Sequence, residues 1–235
     1  MGPQNLSLHI QEVRERVARA AVGCGRSARS VTLLAVSKAQ TPEMIAAAAD
    51  AGLTQFGESY LTEALGKIAA LRERDLTWHF IGRLQANKTR AVAENFAWVH
   101  AIDRLRIAER LAAQRPVGHP PLNACLQVNI AGEDSKGGVT PGELPELAAA
   151  VAALPRLRLR GLMCLPPRES APGRQRHWFE QLRLLQDALN AGGAALDTLS
   201  MGMSDDFEAA IQEGATLVRL GTILFGPRLR TISHE

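Results

Sequence analysis

Apolar residues along the chain follow two alternating periods. From the amino terminus, Leu6, Ile10, Val13, Val17 and Ala21 recur at spacings of four and three, which places them on one helical face. Gly23 and Gly25 end that helix. Val31 to Ser37 is then an apolar run of strand length without polar alternation, the pattern of a strand buried on both faces in a parallel sheet. Thr41-Pro42-Glu43 opens a helix with proline at its first position, running to Gly52. The same unit repeats. Strands are predicted at 55–57, 77–81, 96–102, 122–128, 157–164, 196–201 and 216–220, and helices at 59–72, 84–93, 103–113, 141–153, 174–190 and 205–213. Asp103 is placed as a helix cap, and Ser204, Asp205 and Asp206 as the capping start of the helix after the seventh strand.

Strands separated by helices imply βαβ units and a parallel sheet. Eight in succession predict a closed (β/α)8 TIM barrel with an extra N-terminal helix, a single domain over 1–235. The rival, an open doubly wound sheet, lacks a GxGxxG after the first strand. The two longest irregular stretches, 131–140 and 165–174, follow strands, where barrels keep their functional loops.

Composition narrows the class. With 46% hydrophobic and 22% charged residues the chain can bury a core and is not disordered overall. No apolar run approaches the ~20 residues of a membrane span, and the N-terminus lacks the apolar region of a secretory signal. A net charge of +3 permits a nucleic-acid partner without arguing for one. Arg156, Arg158 and Arg160 read as a strand opening with solvated arginines on one face. Cys24, Cys125 and Cys164 are far apart and odd in number, which points away from a zinc site or a disulfide scaffold and toward a cytoplasmic location. HExxH, close His pairs and GxSxG are absent, so neither a metal centre nor a hydrolase elbow is expected.

Barrels carry their active face on the C-terminal ends of the strands. Of four lysines, Lys38, Lys67, Lys88 and Lys136, only Lys38 ends a strand. Its amine either snorkels into water or, desolvated at the mouth, condenses with a carbonyl. Strands seven and eight end in SMGMSDD and RLGT, where small residues let backbone N–H groups approach an anion; the loops after these strands are the habitual phosphate site of barrel enzymes. Arg219 lies inside an apolar strand and needs an acceptor, from a neighbouring strand or a ligand. His79, between Trp78 and Phe80, reads first as a core or rim histidine.

AVSK at 35–38, QFGESY at 55–60, WHFIGRLQANK at 78–88, DSKGG at 134–138, RGLMCLP at 160–166, LSMGMSDDFEAAI at 199–211 and RLGTILFG at 219–226 resemble the pyridoxal phosphate homeostasis proteins, the YggS/PROSC family, over about residues 5–228. The resemblance implies the barrel of the alanine racemase N-terminal domain, with pyridoxal 5′-phosphate (PLP) carried as a Schiff base on Lys38. Ser200, Gly221 and Thr222, with Ser204, would hold the phosphate, Arg219 would face the pyridine nitrogen, and His79 and Ser59 would lie near the cofactor. The family pattern has Asn where this chain has Ser59.

An Arg-facing, unprotonated pyridine is a poor electron sink. Racemase chemistry also wants an acid–base group opposite the lysine, usually a Tyr from another domain, and Tyr60 is the only tyrosine here. The expectation is a PLP carrier in vitamin B6 homeostasis with no robust catalysis, releasing PLP to apo-enzymes. It would bind neither nucleic acid nor membrane, and it would be monomeric or a weak dimer. The alternatives are a minimal PLP-dependent amino-acid racemase and a basic interaction protein that binds RNA or a partner.

Overall fold

The computed structural model describes residues 3–133, 136–169 and 171–226; Asp134 and Ser135 of the 131–140 loop and Ser170 of the 165–174 loop lie outside them. After helix α1 (Pro3–Gly23) come β1 (Thr32–Val36), α2 (Pro42–Asp50), β2 (Gln55–Glu58), α3 (Leu61–Ala70) and β3 (Thr77–Phe80). A 3-10 turn (Ala86–Lys88) leads into α4 (Thr89–Asn95), followed by β4 (Trp98–Ile102), α5 (Leu105–Gln114), β5 (Leu122–Val128) and α6 (Leu144–Ala152). Then come β6 (Leu157–Cys164), α7 (Pro172–Ala191), β7 (Thr198–Ser200), α8 (Phe207–Gln212), β8 (Leu217–Leu220) and the short α9 (Thr222–Phe225). The eight strands pair in parallel, each with the next and β8 with β1, to close a TIM barrel. Among the described residues, no helix is long and apolar enough to cross a membrane.

The main apolar core lies between the strands and the surrounding helices. The stripe on α1, Leu6, Ile10, Val13, Val17 and Ala21, is buried. It packs against α8, α9 and α2, covering the seam where β8 returns to β1. Each such Leu, Ile or Val contributes about 1.5–3 kcal/mol relative to exposure.

A glycine lets the sheet close between β6 and β7. A Cβ on Gly161 would sit 1.7 Å from the Thr198 carbonyl oxygen, so only glycine lets the two strands meet there. The register of β6 against β5 also shifts between Ala124 and Cys125. That shift helps to explain one departure from the sequence reading. Arg160 is not a solvated arginine at a strand opening. It is held in a double contact by Asp197, donates to Asn123 and lies 4.9 Å over the Trp98 ring.

Other departures concern helix starts. The helix after β3 does not run from 84. Gln85 is extended, a 3-10 turn follows, and α4 begins only at Thr89. Asp103 does not cap α5; its carboxylate accepts from the Arg104 side chain. α8 starts at Phe207, and Asp206 spends its carboxylate on the Met203 N–H (2.6 Å), tying the preceding loop rather than capping the helix. In the last two cases the acidic side chain is engaged by a local donor rather than by a free N–H of the helix.

Candidate functional site

The C-terminal mouth is built from short extensions of β1, β7 and β8. Ala35 pairs with Leu220, so the Gly221 that follows runs beside Val36, and a Cβ on Gly221 would meet the Val36 carbonyl oxygen at 3.3 Å. Lys38, half-buried, follows Val36 by two residues and by alternation shares its side of β1. Ala39 then turns the chain with φ 63°, a left-handed conformation unusual for a residue with a Cβ.

The loops after β7 and β8 are tied together. Ser204 Oγ accepts the Ile223 N–H at 3.3 Å, and the Gly202 carbonyl accepts the Arg219 N–H at 2.9 Å. Gly202 adopts φ 93° and a Cβ there would lie 2.7 Å from Ala210 Cβ, so the loop's path requires glycine. Thr222 is exposed at the start of α9, and its hydroxyl has no hydrogen-bond partner among the described residues. Lys38, Ser204, Gly221 and Thr222 thus stand on adjoining strand ends at one mouth. Ser59, half-buried after β2, is at the same end, its backbone against Gly82, where a Cβ would lie 2.3 Å from the Ser59 carbonyl oxygen.

Below this mouth the barrel interior holds a polar chain. Arg219 is fully buried, and its Nη1 donates to the Ser200 carbonyl oxygen (2.5 Å) and Oγ (2.9 Å), while Nη2 donates to the Cys164 carbonyl oxygen (2.8 Å). The guanidinium therefore spans the C-terminal ends of β6 and β7. Ser200 Oγ is 2.8 Å from His100 Nδ1, His100 Nε2 is 3.0 Å from His79 Nδ1, and His79 Nε2 is 2.7 Å from Gln55 Oε1.

Proton placement along the chain follows from its ends. Burial lowers the pKa of His79 to about 3. Burial, reinforced by His79 and Arg219, pushes His100 well below its ordinary value. Both rings are therefore neutral, each with one N–H. Gln55 Oε1 can only accept, so His79 donates from Nε2 and accepts at Nδ1. His100 donates from Nε2 and accepts at Nδ1, and Ser200 gives its one hydroxyl hydrogen to His100 while accepting from Arg219. All donors point one way, from Arg219 down to Gln55.

Two expected site residues lie in this hydrogen-bonded chain. His79 has both ring nitrogens engaged inside the barrel. It borders a cavity of about 520 Å³ at the opposite, N-terminal mouth, lined also by Thr32, Gln55, Trp98 and Arg160. It is not brought to the end of β1 that carries Lys38. Ser200 is fully buried and faces inward to His100 and Arg219.

His100 escaped the sequence reading. Its alternation with Trp98 and Ile102 marks the inward face of β4, but a lone histidine in an apolar strand carries no further signal. Lys67 and Glu58 were missed as well; they form a buried pair at 2.8 Å against the outer side of β1 and β2. Lys67 Nζ donates to the Ser37 carbonyl oxygen, Glu58 and Glu63, so its three hydrogens are all engaged and it is no rival amine for Lys38.

Cys125 and Cys164 are buried, and desolvation raises both thiols to about 12, so neither is a nucleophile. Among the described residues no group of three His, Cys, Asp or Glu side chains could hold a metal ion.

Comparison with known proteins places the fold and the family. The family model described as "Alanine racemase, N-terminal domain" matches residues 9–228. A pyridoxal phosphate homeostasis protein of Pseudomonas aeruginosa (strain PAO1) is 56% identical over 220 residues, 94% of each chain. One from Escherichia coli (strain K12) is 52% identical over 227 residues, covering 95% of this chain and 97% of that protein. PipY of Synechococcus elongatus PCC7942, solved with PLP bound, superposes with a TM-score of 0.83 at 35% identity over 94% of this chain and all of its own. The alanine racemase of Corynebacterium glutamicum, at 16% identity and a TM-score of 0.67, shares the fold, covering 92% of this chain and 60% of its own. On these grounds the chain belongs to the alanine racemase N-terminal domain family and, within it, to the pyridoxal phosphate homeostasis proteins.

Proposed function

We propose that the protein is a reversible carrier of PLP in vitamin B6 homeostasis, holding it as a Schiff base on Lys38 and giving it up to apo-enzymes. The observation that carries this reading is the meeting, on adjoining strand ends, of a half-buried lysine and a small-residue cradle. The donor set fits the cofactor. PLP supplies an aldehyde, whose condensation with a neutral amine forms a C=N bond and releases the carbonyl oxygen as water.

Lys38 provides that amine. Ser204, Gly221 and Thr222 would receive the phosphate in the tied loops after β7 and β8. Arg219 lies fully buried between the ends of β6 and β7, and among the described residues its Nε is not one of the donors already engaged. It can only donate, so it would hold a pyridine nitrogen unprotonated and restrain carbanion chemistry. Ser200 enters this reading as the support of Arg219, because its hydroxyl hydrogen is directed to His100. His79 acts at one further remove through His100. Ser59 lies at the mouth end of the barrel, where its hydroxyl, standing in place of the family's Asn, would lie near the cofactor.

The test is to load the purified protein with PLP, incubate it with L-alanine and other L-amino acids, and measure D-isomer. The carrier reading expects turnover far below about 1 s⁻¹, the lower edge of ordinary enzymatic rates. Turnover above that value would make the protein a racemase. The same loaded protein is expected to reactivate an apo-enzyme that requires PLP.

A further inference from the structure

A second cluster of charges lies outside the barrel interior, apart from the residues that would hold the ligand. Lys67, on α3, is 4% exposed, and Glu58, at the end of β2, is 0% exposed. Lys67 Nζ donates to the Ser37 carbonyl oxygen at 2.7 Å, to Glu58 Oε1 at 2.8 Å and to Glu63 Oε1. Ser37 Oγ donates to the same Glu58 oxygen at 2.6 Å. Glu63 Oε1 in turn accepts the Ala39 N–H at 2.6 Å.

The pattern converges on one residue. The carbonyl before Lys38 is held by Lys67, and the N–H after it is held by Glu63. Between them the chain enters the left-handed turn at Ala39, φ 63°. Such a conformation is strained for a residue with a Cβ and persists only where its surroundings over-determine it. Taking ions out of water is costly, and apolar packing of the same volume is often at least as stable. Helix packing alone therefore gives no reason for this cluster. Glu58 Oε2 has no hydrogen-bond partner among the described residues, and burial raises the carboxyl above its ordinary value against the pull of Lys67 and Ser37.

We infer that Glu58, Glu63 and Lys67 are positioning residues for Lys38: the cluster clamps the peptide groups on either side of it and so sets the direction from which its amine meets a ligand at the mouth. The inference rests on the reading of Lys38 as the PLP attachment point. Lys67 reaches the carbonyl before Lys38 directly and the N–H after it through Glu63.

The experiment mixes PLP with wild type, Lys38→Ala, Lys67→Met and Glu63→Gln. Imine absorbance is followed for rate, affinity and pH midpoint, with circular dichroism and thermal unfolding recorded alongside. Lys67→Met is expected to form the imine about 10-fold more slowly or worse, with a displaced pH midpoint, as small misplacements of a reacting group do. Glu63→Gln keeps the shape, loses the charge and should fall between that variant and wild type. If Lys67→Met does not fold, Glu63→Gln decides. Wild-type rate and pH midpoint in the folded variants, whatever the change in melting temperature, would overturn the clamp while leaving Lys38 as the attachment point. No imine in wild type would remove the attachment point and the clamp with it.

Discussion

Two neutral imidazoles in a row are the least expected residues in this barrel. Each would be protonated about half the time near pH 6.5 in an unfolded chain, yet burial lowers the pKa of His79 to about 3 and that of His100 well below its usual value. A base with a depressed folded pKa stabilises the fold fully above its unfolded pKa, and that stability is lost as pH falls from about 6.5 toward the folded value. Each histidine then contributes a slope of up to about 1.4 kcal/mol per pH unit. Urea unfolding of wild type and His79→Gln between pH 6.5 and 4 should show the shallower slope in the variant. Equal slopes would mean that His79 titrates in the fold as it does unfolded. This pair is only half legible in the sequence. His79 stands out because it belongs to the WHFIGRLQANK motif, whereas His100 acquires meaning only once β4 faces β7 across the barrel and Ser200 comes within 2.8 Å.

The elements were legible in kind and less so at their ends. Apolar runs marked β1, β4, β5 and the second half of β6, because parallel strands buried on both faces have no polar alternation there, whereas β2 is only QFGE and β6 opens on alternating arginines. Helix starts were misplaced where an acidic residue chose a local partner, as Asp103 did with Arg104 and Asp206 with Met203. Glycines separate the elements that tolerate change from those that do not. Gly66 lies on the exposed side of α3, where an added Cβ would meet nothing within 4 Å, so Gly66→Ala should raise stability by about 0.5–1 kcal/mol. Gly202→Ala forces a Cβ into Ala210 at φ 93° and should lower stability by about 1–3 kcal/mol, weakening PLP binding through the loop after β7. Denaturant midpoints of the two variants check both signs. A neutral Gly202→Ala would show that the loop can take another path.

At the scale of the whole molecule the barrel separates its chemistry by end. Lys38, Ser204, Gly221 and Thr222 gather at the C-terminal mouth, a one-way hydrogen-bond chain fills the middle, and a polar cavity bordered by His79 closes the N-terminal end. The sequence could show the first of these, since strand ends follow directly from the periodicity. It could not show the second, because which inward residues meet depends on the stagger of closure, including the shift between β5 and β6.

Attachment of PLP to the Lys38 amine is tested most directly by the absorbance spectrum of the protein with added PLP, before and after borohydride, for wild type and Lys38→Ala. Wild type should show a visible imine band that reduction converts to a stable adduct on the peptide containing Lys38, and the variant should show neither. An identical band and adduct in both proteins, or none in either, would rule out Lys38 as the attachment point.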